Sequence, residues 1–188
     1  MSKMFTEISR IVNEDISSRV TQYDVIFEAI TNAIHSNSTD IKCFLNFNGN
    51  LIKDGDIEIG RIKVDTIKVV DNGDGITDDN YKSFSTYRTE FKKDLGCKGV
   101  GRFVFLKVYS SAKYSSDLKE AQEQRKIKFH INFDTEKDLK KENKKVAANE
   151  TEVFLDTLNS QYLDWDKKID RRIELDIFSI RDKTLMNL

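Results

Sequence analysis

Proline is absent from this chain of 188 residues, and glycine, cysteine, histidine and tryptophan are scarce, at eight, two, two and one. Without proline, no proline-rich linker divides the chain. Cys43 and Cys97 are the only cysteines. Two thiols without metal-ligand spacing exclude a disulfide scaffold and point to a reducing compartment. No apolar h-region opens the chain and no run approaches membrane-spanning length, so the expected location is cytoplasmic, with no membrane partner. An excess of one charge is also missing, since 31 Lys and Arg stand against 32 Asp and Glu for a formal net charge of −1. No global field therefore recruits nucleic acid, and such a role, left undetermined, would need a local patch or another domain.

What is present argues for a folded domain. Charged residues make up 34%, yet twelve Phe, six Tyr and many Ile and Val can build a core, and the length suits one domain. Five of the eight glycines fall in two clusters, Gly73 with Gly75, and Gly96 with Gly99 and Gly101. Glycine so concentrated marks places where backbone shape or close approach of a ligand demands it.

Hydrophobic periodicity places these clusters on elements. Met4, Phe5, Ile8, Ile11 and Val12 have helical spacing. The strongest helix runs from about Gln22 to Asn37, with Ile26, Ala29, Ile30, Ala33 and Ile34 on one face. At about 100° per residue, Glu28, Asn32 and His35 gather on the other side. That face reads either as solvated surface or as a functional one, because Asn, His and Thr31 are poorer helix formers with specific hydrogen-bonding ability. A strand over 40–48, a hairpin over 48–60 and a strand over 61–70 follow, the last running into Asp71-Asn-Gly-Asp-Gly-Ile76. An EF-hand beginning at Asp71 would need an oxygen ligand third and a glutamate twelfth, where this chain has Gly73 and Lys82, so a calcium loop is excluded. Asp71 ends a buried-looking strand, where a lone carboxylate is expensive unless it has a partner.

A short helix begins at 78 and leads toward Leu95-Gly-Cys-Lys-Gly-Val-Gly-Arg-Phe103. This stretch is either an ordinary glycine-bearing loop or a phosphate cradle opening a helix. Residues 103–109 fit helix or strand by period, and a helix makes sense of the preceding glycines. Strands are expected over 110–115, 125–133 and 151–155, a solvated loop or frayed helix over the lysine- and glutamate-rich 134–149, and an amphipathic helix over 164–188.

Three clusters thus occur in a fixed order: Glu28-Ala-Ile-Thr-Asn32-Ala33, then Asp71-Asn-Gly73-Asp-Gly75, then Gly96-Cys-Lys-Gly99-Val-Gly101-Arg102. The order resembles the GHKL ATPase superfamily of gyrase B, the Hsp-ninety chaperones, histidine kinases and MutL-type repair proteins. The clusters resemble its N-box, its D-x-G-x-G motif and its glycine-rich lid motif. Thr151-Glu-Val153 resembles the G-T-x-V strand, with Glu150 in place of the usual glycine. The run Gly-Val-Gly-Arg-Phe followed by Leu-Lys is most similar to bacterial relatives near the MutL and MORC groups.

The resemblance implies an α+β fold of the Bergerat type, a two-layer sandwich of a mixed, mostly antiparallel sheet with helices on one face. It implies a single ATP-binding domain over 1–188, with an N-terminal helical segment over 1–20, an ATP lid over 78–101 and a C-terminal helix over 164–188. It also implies the roles of individual residues. Asp71 would accept a hydrogen bond from the adenine amino group, and Gly73, Gly75 and Ile76 would line the base. Asn32 would hold Mg²⁺ against the triphosphate of ATP, and Glu28, one turn earlier, would be the general base. Gly96, Gly99, Val100, Gly101 and Arg102 would cradle the phosphates, Lys98 would neutralise developing charge, and Thr151 would support the adenine pocket.

A glutamate at position 28 favours the hydrolase branch over the histidine kinases, and neither His35 nor His130 lies on a plausible phosphoacceptor helix. His35 stands where many ATPase members have an aspartate. Many hydrolysing members also use a lysine from a following transducer domain and a nucleotide-dependent homodimer. The expectation is therefore an N-terminal fragment of a longer protein, completed by a downstream transducer domain or a partner protein. The expected function is slow, Mg-dependent ATP hydrolysis that drives lid closure and dimerisation. The alternative is a nucleotide-binding regulatory module without significant hydrolysis of its own.

Overall fold

The computed structural model describes residues 7–48, 63–87 and 100–162. The chain opens with one helical turn, α1 (Ile8–Arg10), that widens into a π-helical turn over Ile11–Asp15. Helix α2 (Gln22–Ile34) follows. Its start is fixed by Asp24, whose carboxylate accepts from both the Thr21 amide (2.7 Å) and the Thr21 hydroxyl (2.8 Å), so a first-turn donor that the helix leaves unpaired is satisfied. Strands β1 (Ile41–Asn48) and β2 (Lys63–Asp71) come next, then the short helices α3 (Asp78–Phe84) and α4 (Arg102–Val108). Strands β3 (Ser111–Leu118), β4 (Glu123–His130), β5 (Leu139–Asn143) and β6 (Glu150–Leu155) complete the described elements.

The strands form one six-stranded sheet in the order β1-β2-β6-β3-β4-β5. Every pairing in it is antiparallel, so the expected mixed, mostly antiparallel sheet is antiparallel throughout the described strands. The register places Ile67, Val69, Leu155, Val153, Ala112, Ile127 and Phe129 on one face, and these pack with Val25, Ile26 and Ala29 of α2 and Phe103, Phe105 and Leu106 of α4. The opposite face carries Phe44, Lys68, Phe154 and Lys113, with Lys68 lying over the Phe44 ring and Lys113 over Phe154. Helices on one face and a polar, aromatic-studded face on the other is the expected two-layer arrangement.

Several boundaries differ from expectation, each for a physical reason. Helix α2 stops at Ile34 rather than Asn37, because Asn37 takes a left-handed φ of 62°. Ile34 is 41% exposed, while Ile30 packs partly buried against the core and Gln22 and Val25 join Ile26, Ala29 and Ala33 on the buried face. Strand β3 runs on to Leu118, and β4 starts at Glu123 and stops at His130. Within 134–149, read as loop or frayed helix, lies an edge strand, β5, with only Leu139 facing the core. Its ladder with β4 is helped by the cross-strand pair Lys126–Glu142 at 3.3 Å, and an edge strand with one core residue has no hydrophobic period to read. The stretch 103–109 is helical, with the helix opening at Arg102 after Gly101. The hairpin over 48–60 and the C-terminal helix over 164–188 lie outside the described residues, of which no helix is long and apolar enough to cross a membrane.

One buried amide sets the height of α2 over the sheet. Gln22, 4% exposed, donates to the Val64 carbonyl and to the Tyr109 hydroxyl (2.8 Å), and accepts from the Val64 amide (3.2 Å). Tyr109 in turn donates to the Val64 carbonyl at 3.0 Å. Replacing Gln22 with Ala leaves the Val64 amide without its acceptor in a buried setting, at a cost of about 2 kcal/mol. The expected result is a melting temperature lower by roughly 4–8 °C in a thermal unfolding scan.

Candidate functional site

The site forms where the C-terminal half of α2, the end of β2 and the start of α4 converge. Glu28 and Asn32 lie one helical turn apart on α2, and Asn32 Nδ2 donates to Glu28 Oε1 at 3.1 Å. The Glu28 carboxylate rests directly on the backbone of Gly101, so closely that a Cβ there would lie 1.6 Å from Oε1. Only glycine permits that approach without displacing Glu28. Partial burial pushes the Glu28 carboxyl above its usual range, opposed by the Asn32 hydrogen bond and the positive charge of Arg102. With Nδ2 turned to Glu28, the Asn32 Oδ1 is without a partner among the described residues.

Arg102 is positioned differently from a simple phosphate hook. Its guanidinium lies 4.3 Å from the centre of the Phe103 ring and 5.4 Å from that of Phe84, and Nη2 donates to the Thr86 carbonyl at 3.1 Å. Burial among these rings pulls its pKa down to about 10, opposed in part by Tyr114 and Glu28 nearby. Tyr114, on β3, has its hydroxyl titration pushed up, mainly by burial, and its ring packs edge-on against Phe84 at 5.3 Å. Arg102, Glu28 and Tyr114 therefore form one electrostatic group beneath the N-terminal end of α4, with α3 alongside.

The second half of the site is built on Asp71, the last residue of β2 and 6% exposed. Its Oδ1 accepts from the Ser38 hydroxyl (2.8 Å) and the Gly73 amide (2.9 Å), with the Ser36 hydroxyl at 3.4 Å. Its Oδ2 has no partner among the described residues. The following turn needs a glycine at 75, where φ is 73° and a Cβ would meet the Ser116 hydroxyl at 2.4 Å. Ser116 accepts from the Ile76 amide at 3.0 Å and lies 2.9 Å from the Thr151 hydroxyl, and Thr151 faces Asp71 across the β2–β6 pairing. A ligand entering here meets a buried carboxylate oxygen, two hydroxyls and the backbone of a tight turn, a setting suited to a flat base that donates a hydrogen bond.

The structure thus brings Glu28, Asn32, Gly101 and Arg102 together at one end, and Asp71, Gly73, Gly75, Ile76 and Thr151 at the other. Val100 packs on the core just before Gly101. Gly96, Lys98 and Gly99 lie outside the described residues. Sequence reasoning missed Ser36, Ser38, Ser116 and Tyr114. Ser36 and Ser38 could have been suspected as the polar turn after the N-box helix, but Ser116 and Tyr114 become visible only once the strand register is known. The donor set also bears on Mg²⁺. No cluster of three His, Cys, Asp or Glu side chains exists among the described residues, so these residues offer no all-protein cage. One hard amide oxygen, Asn32 Oδ1, beside a carboxylate fits an ion whose other ligands are phosphate oxygens and water.

Residues 20–162 match the family described as histidine kinase-, DNA gyrase B- and HSP90-like ATPases, and the chain belongs to that family. It therefore carries an ATP-binding domain of an ATPase family. Among solved structures, the ATPase region of Saccharomyces cerevisiae topoisomerase II superposes with a TM-score of 0.51 at 11% identity, over 89% of this chain and 56% of that one. The ATPase domain of Thermus thermophilus gyrase B, in complex with an aminocoumarin, superposes with a TM-score of 0.54 at 16% identity, over 93% of this chain and 43% of that one. These likenesses establish the fold, and the chain spans about half of each of those structures. No curated protein matches by sequence.

Because the folded state holds the Glu28 carboxyl above its unfolded value, the charged form destabilises the fold. That penalty is absent below the ordinary carboxylate pKa and complete above the raised one. Glu28→Gln should therefore melt at a higher temperature than wild type at pH 7.5, and the gap should close as pH is lowered toward 4. Thermal unfolding of both proteins across that range checks the sign.

Proposed function

We propose that the chain binds Mg-ATP between α2, the Asp71 turn and the lid over residues 78–101, and hydrolyses it slowly. The observation that carries this reading is the Glu28–Asn32 pair lying against the backbone of Gly101. It sets a candidate base and a candidate magnesium ligand beside the segment that family resemblance assigns to the phosphates. Adenine would sit against Asp71, Gly73, Gly75, Ile76 and Thr151, and the triphosphate would run toward Gly96, Gly99, Val100, Gly101 and Arg102. A magnesium ion held by Asn32 and the phosphates would supply charge neutralisation. Glu28 would orient a water for attack on the γ-phosphorus and accept its proton. A new P–O bond then forms, the bond to the β-phosphate oxygen breaks, and ADP and phosphate leave. Lys98 would neutralise charge developing on the transferred group.

Lid closure and a nucleotide-dependent homodimer belong to the same proposal, with a transducer lysine supplied by a downstream domain or a partner protein. Nearness to MutL and MORC relatives rests on Gly99-Val-Gly-Arg-Phe103 and the following Leu106-Lys107. A second reading is a nucleotide-binding regulatory module without significant hydrolysis of its own, which follows from the transducer lysine that the family resemblance makes part of the hydrolytic site.

Titration calorimetry with ATP and Mg²⁺, alongside a phosphate-release assay, separates the two. Glu28→Ala should lower phosphate release by about 10²–10⁴-fold while ATP affinity stays within about threefold. Asp71→Asn should weaken ATP binding by about tenfold or more, the loss of a charge-assisted hydrogen bond. Release unchanged in Glu28→Ala would remove Glu28 from the mechanism. Tight binding with no release, even beside a partner or downstream domain, would support the regulatory reading, whereas release that appears only on their addition would favour hydrolysis.

A further inference from the structure

The connection from α2 to β1, residues 35–40, is laced to the turn after β2. The Asp74 amide donates to the Ser36 carbonyl at 2.8 Å, and Asn72 Oδ1 accepts from the amides of Thr39 and Asp40 at 2.9 and 3.0 Å. Asn37 Nδ2 donates to Asp74 at 2.6 Å. None of these bonds uses the side chains of Ser36 or Ser38, so the connection keeps its shape without either hydroxyl. The two serines instead reach the carboxylate. Each hydroxyl has one proton to give. That of Ser36 is better placed on the Ala33 carbonyl at 2.8 Å than on Asp71 at 3.4 Å, whereas Ser38 donates to Asp71 Oδ1 at 2.8 Å. With the Gly73 amide also on Oδ1, that oxygen is occupied from two sides and Oδ2 is not.

We propose that Ser38 is a positioning residue for base recognition, fixing the Asp71 carboxylate through Oδ1 so that Oδ2 is presented to an exocyclic amine of the bound purine. The inference rests on the reading of Asp71 as the adenine-binding carboxylate. A carboxylate held by the Gly73 amide alone can swing about its Cβ–Cγ bond, and an acceptor that swings discriminates poorly. An oriented acceptor favours a base edge that donates and rejects one that presents a carbonyl, because two acceptors then face each other without a proton. Ser38 would thereby set a preference for an amino-bearing purine without touching it.

The test compares ATP with purine riboside triphosphate, which lacks the exocyclic amine, by titration calorimetry with Mg²⁺. Wild type should prefer ATP by about tenfold. Ser38→Ala should weaken ATP by about five- to tenfold while leaving purine riboside triphosphate within about twofold, so that the preference collapses. Ser38→Thr, which keeps the donor, should preserve it, as should Ser36→Ala. Ser38→Cys, near-isosteric with a weak donor, should fall between and serves if the alanine variant unfolds. Equal weakening of both ligands in Ser38→Ala would assign the serine a purely structural role and overturn the inference, as would no change in either. Asp71→Asn tells the two levels apart. If it loses the preference while Ser38→Ala keeps it, only the role of Ser38 fails. If it keeps the preference, or wild type binds neither ligand, the reading of Asp71 fails and takes this inference with it.

Discussion

The structure depends on one buried amide. Gln22 matches both polar groups of the Val64 peptide and takes the Tyr109 hydroxyl as well, so three elements meet at a single side chain. It does so beside the register shift where β1 and β2 fall out of step between Asn46 and Phe47. Val64 lies beyond the stretch of β2 that β6 pairs, Ile67–Asp71, and Gln22 supplies partners to its backbone there. The consequence is geometric. The first residue of α2 is tied to the start of β2, and the residues after α2 are tied to the turn at the end of β2 by the Asp74 amide on the Ser36 carbonyl and by Asn72 on the amides of Thr39 and Asp40. Helix and strand therefore run in the same direction, fixed at both ends, and Glu28 and Asn32 are suspended between the fixed points. The site inherits its rigidity from that frame.

Within the frame, electrostatics pull against packing. Burial raises the Glu28 carboxyl and lowers the Arg102 guanidinium to about 10. Desolvation is the largest cause in both, so their mutual attraction only partly offsets it. A pair so placed does not serve stability well, and such a cost is the expected mark of a functional site. Arg102 meanwhile ties α4 to Thr86, just past α3, while the Tyr87 hydroxyl donates to Asp15 in the π-helical turn. The segment after α3 is thus bonded both to the helix that opens behind the glycines and to the N-terminal segment.

Legibility in the sequence followed how many residues of an element share one environment. Helix α2 could be read because its apolar and polar faces both repeat at the helical period, and β2 because its apolar run ends at a carboxylate. Strand β5 could not, since Leu-Lys-Lys-Glu-Asn contributes one residue to the core. Asp71, Gly75 and Gly101 announced themselves by being expensive or permissive residues in unusual places. Ser38, Ser116 and Tyr114 did not, because serine and tyrosine are ordinary on polar strands and turns. Their importance comes from what faces them across a strand or a turn. Arg102 shows the same limit from the other side. Its charge beside glycines suggested phosphate, while the ring of Phe84, eighteen positions earlier in the chain, decides where its guanidinium lies.

The deepest dependence lies in register. Asp71 pairs with Thr151, Thr151 with Ser116, Ser116 with Arg125, and Arg125 with Lys141. These five residues form one polar row across the helix-covered face of the sheet, four strands deep in an otherwise apolar surface before it reaches the edge. A polar row through a core is tolerated only if each member is paired. Asp71 is held by Ser38 and Gly73, Thr151 and Ser116 share a hydrogen bond, and Arg125 and Lys141 both reach Asp78 at the start of α3, at 2.8 and 3.2 Å. One row therefore provides the floor of the proposed base pocket at one end and anchors the first helix of the proposed lid at the other. A one-residue slip of β3 or β6 would turn its members to the outer face, removing the pocket floor and the link to β4 together. Pocket and lid anchor are consequences of a single pairing register, and neither can be moved without the other.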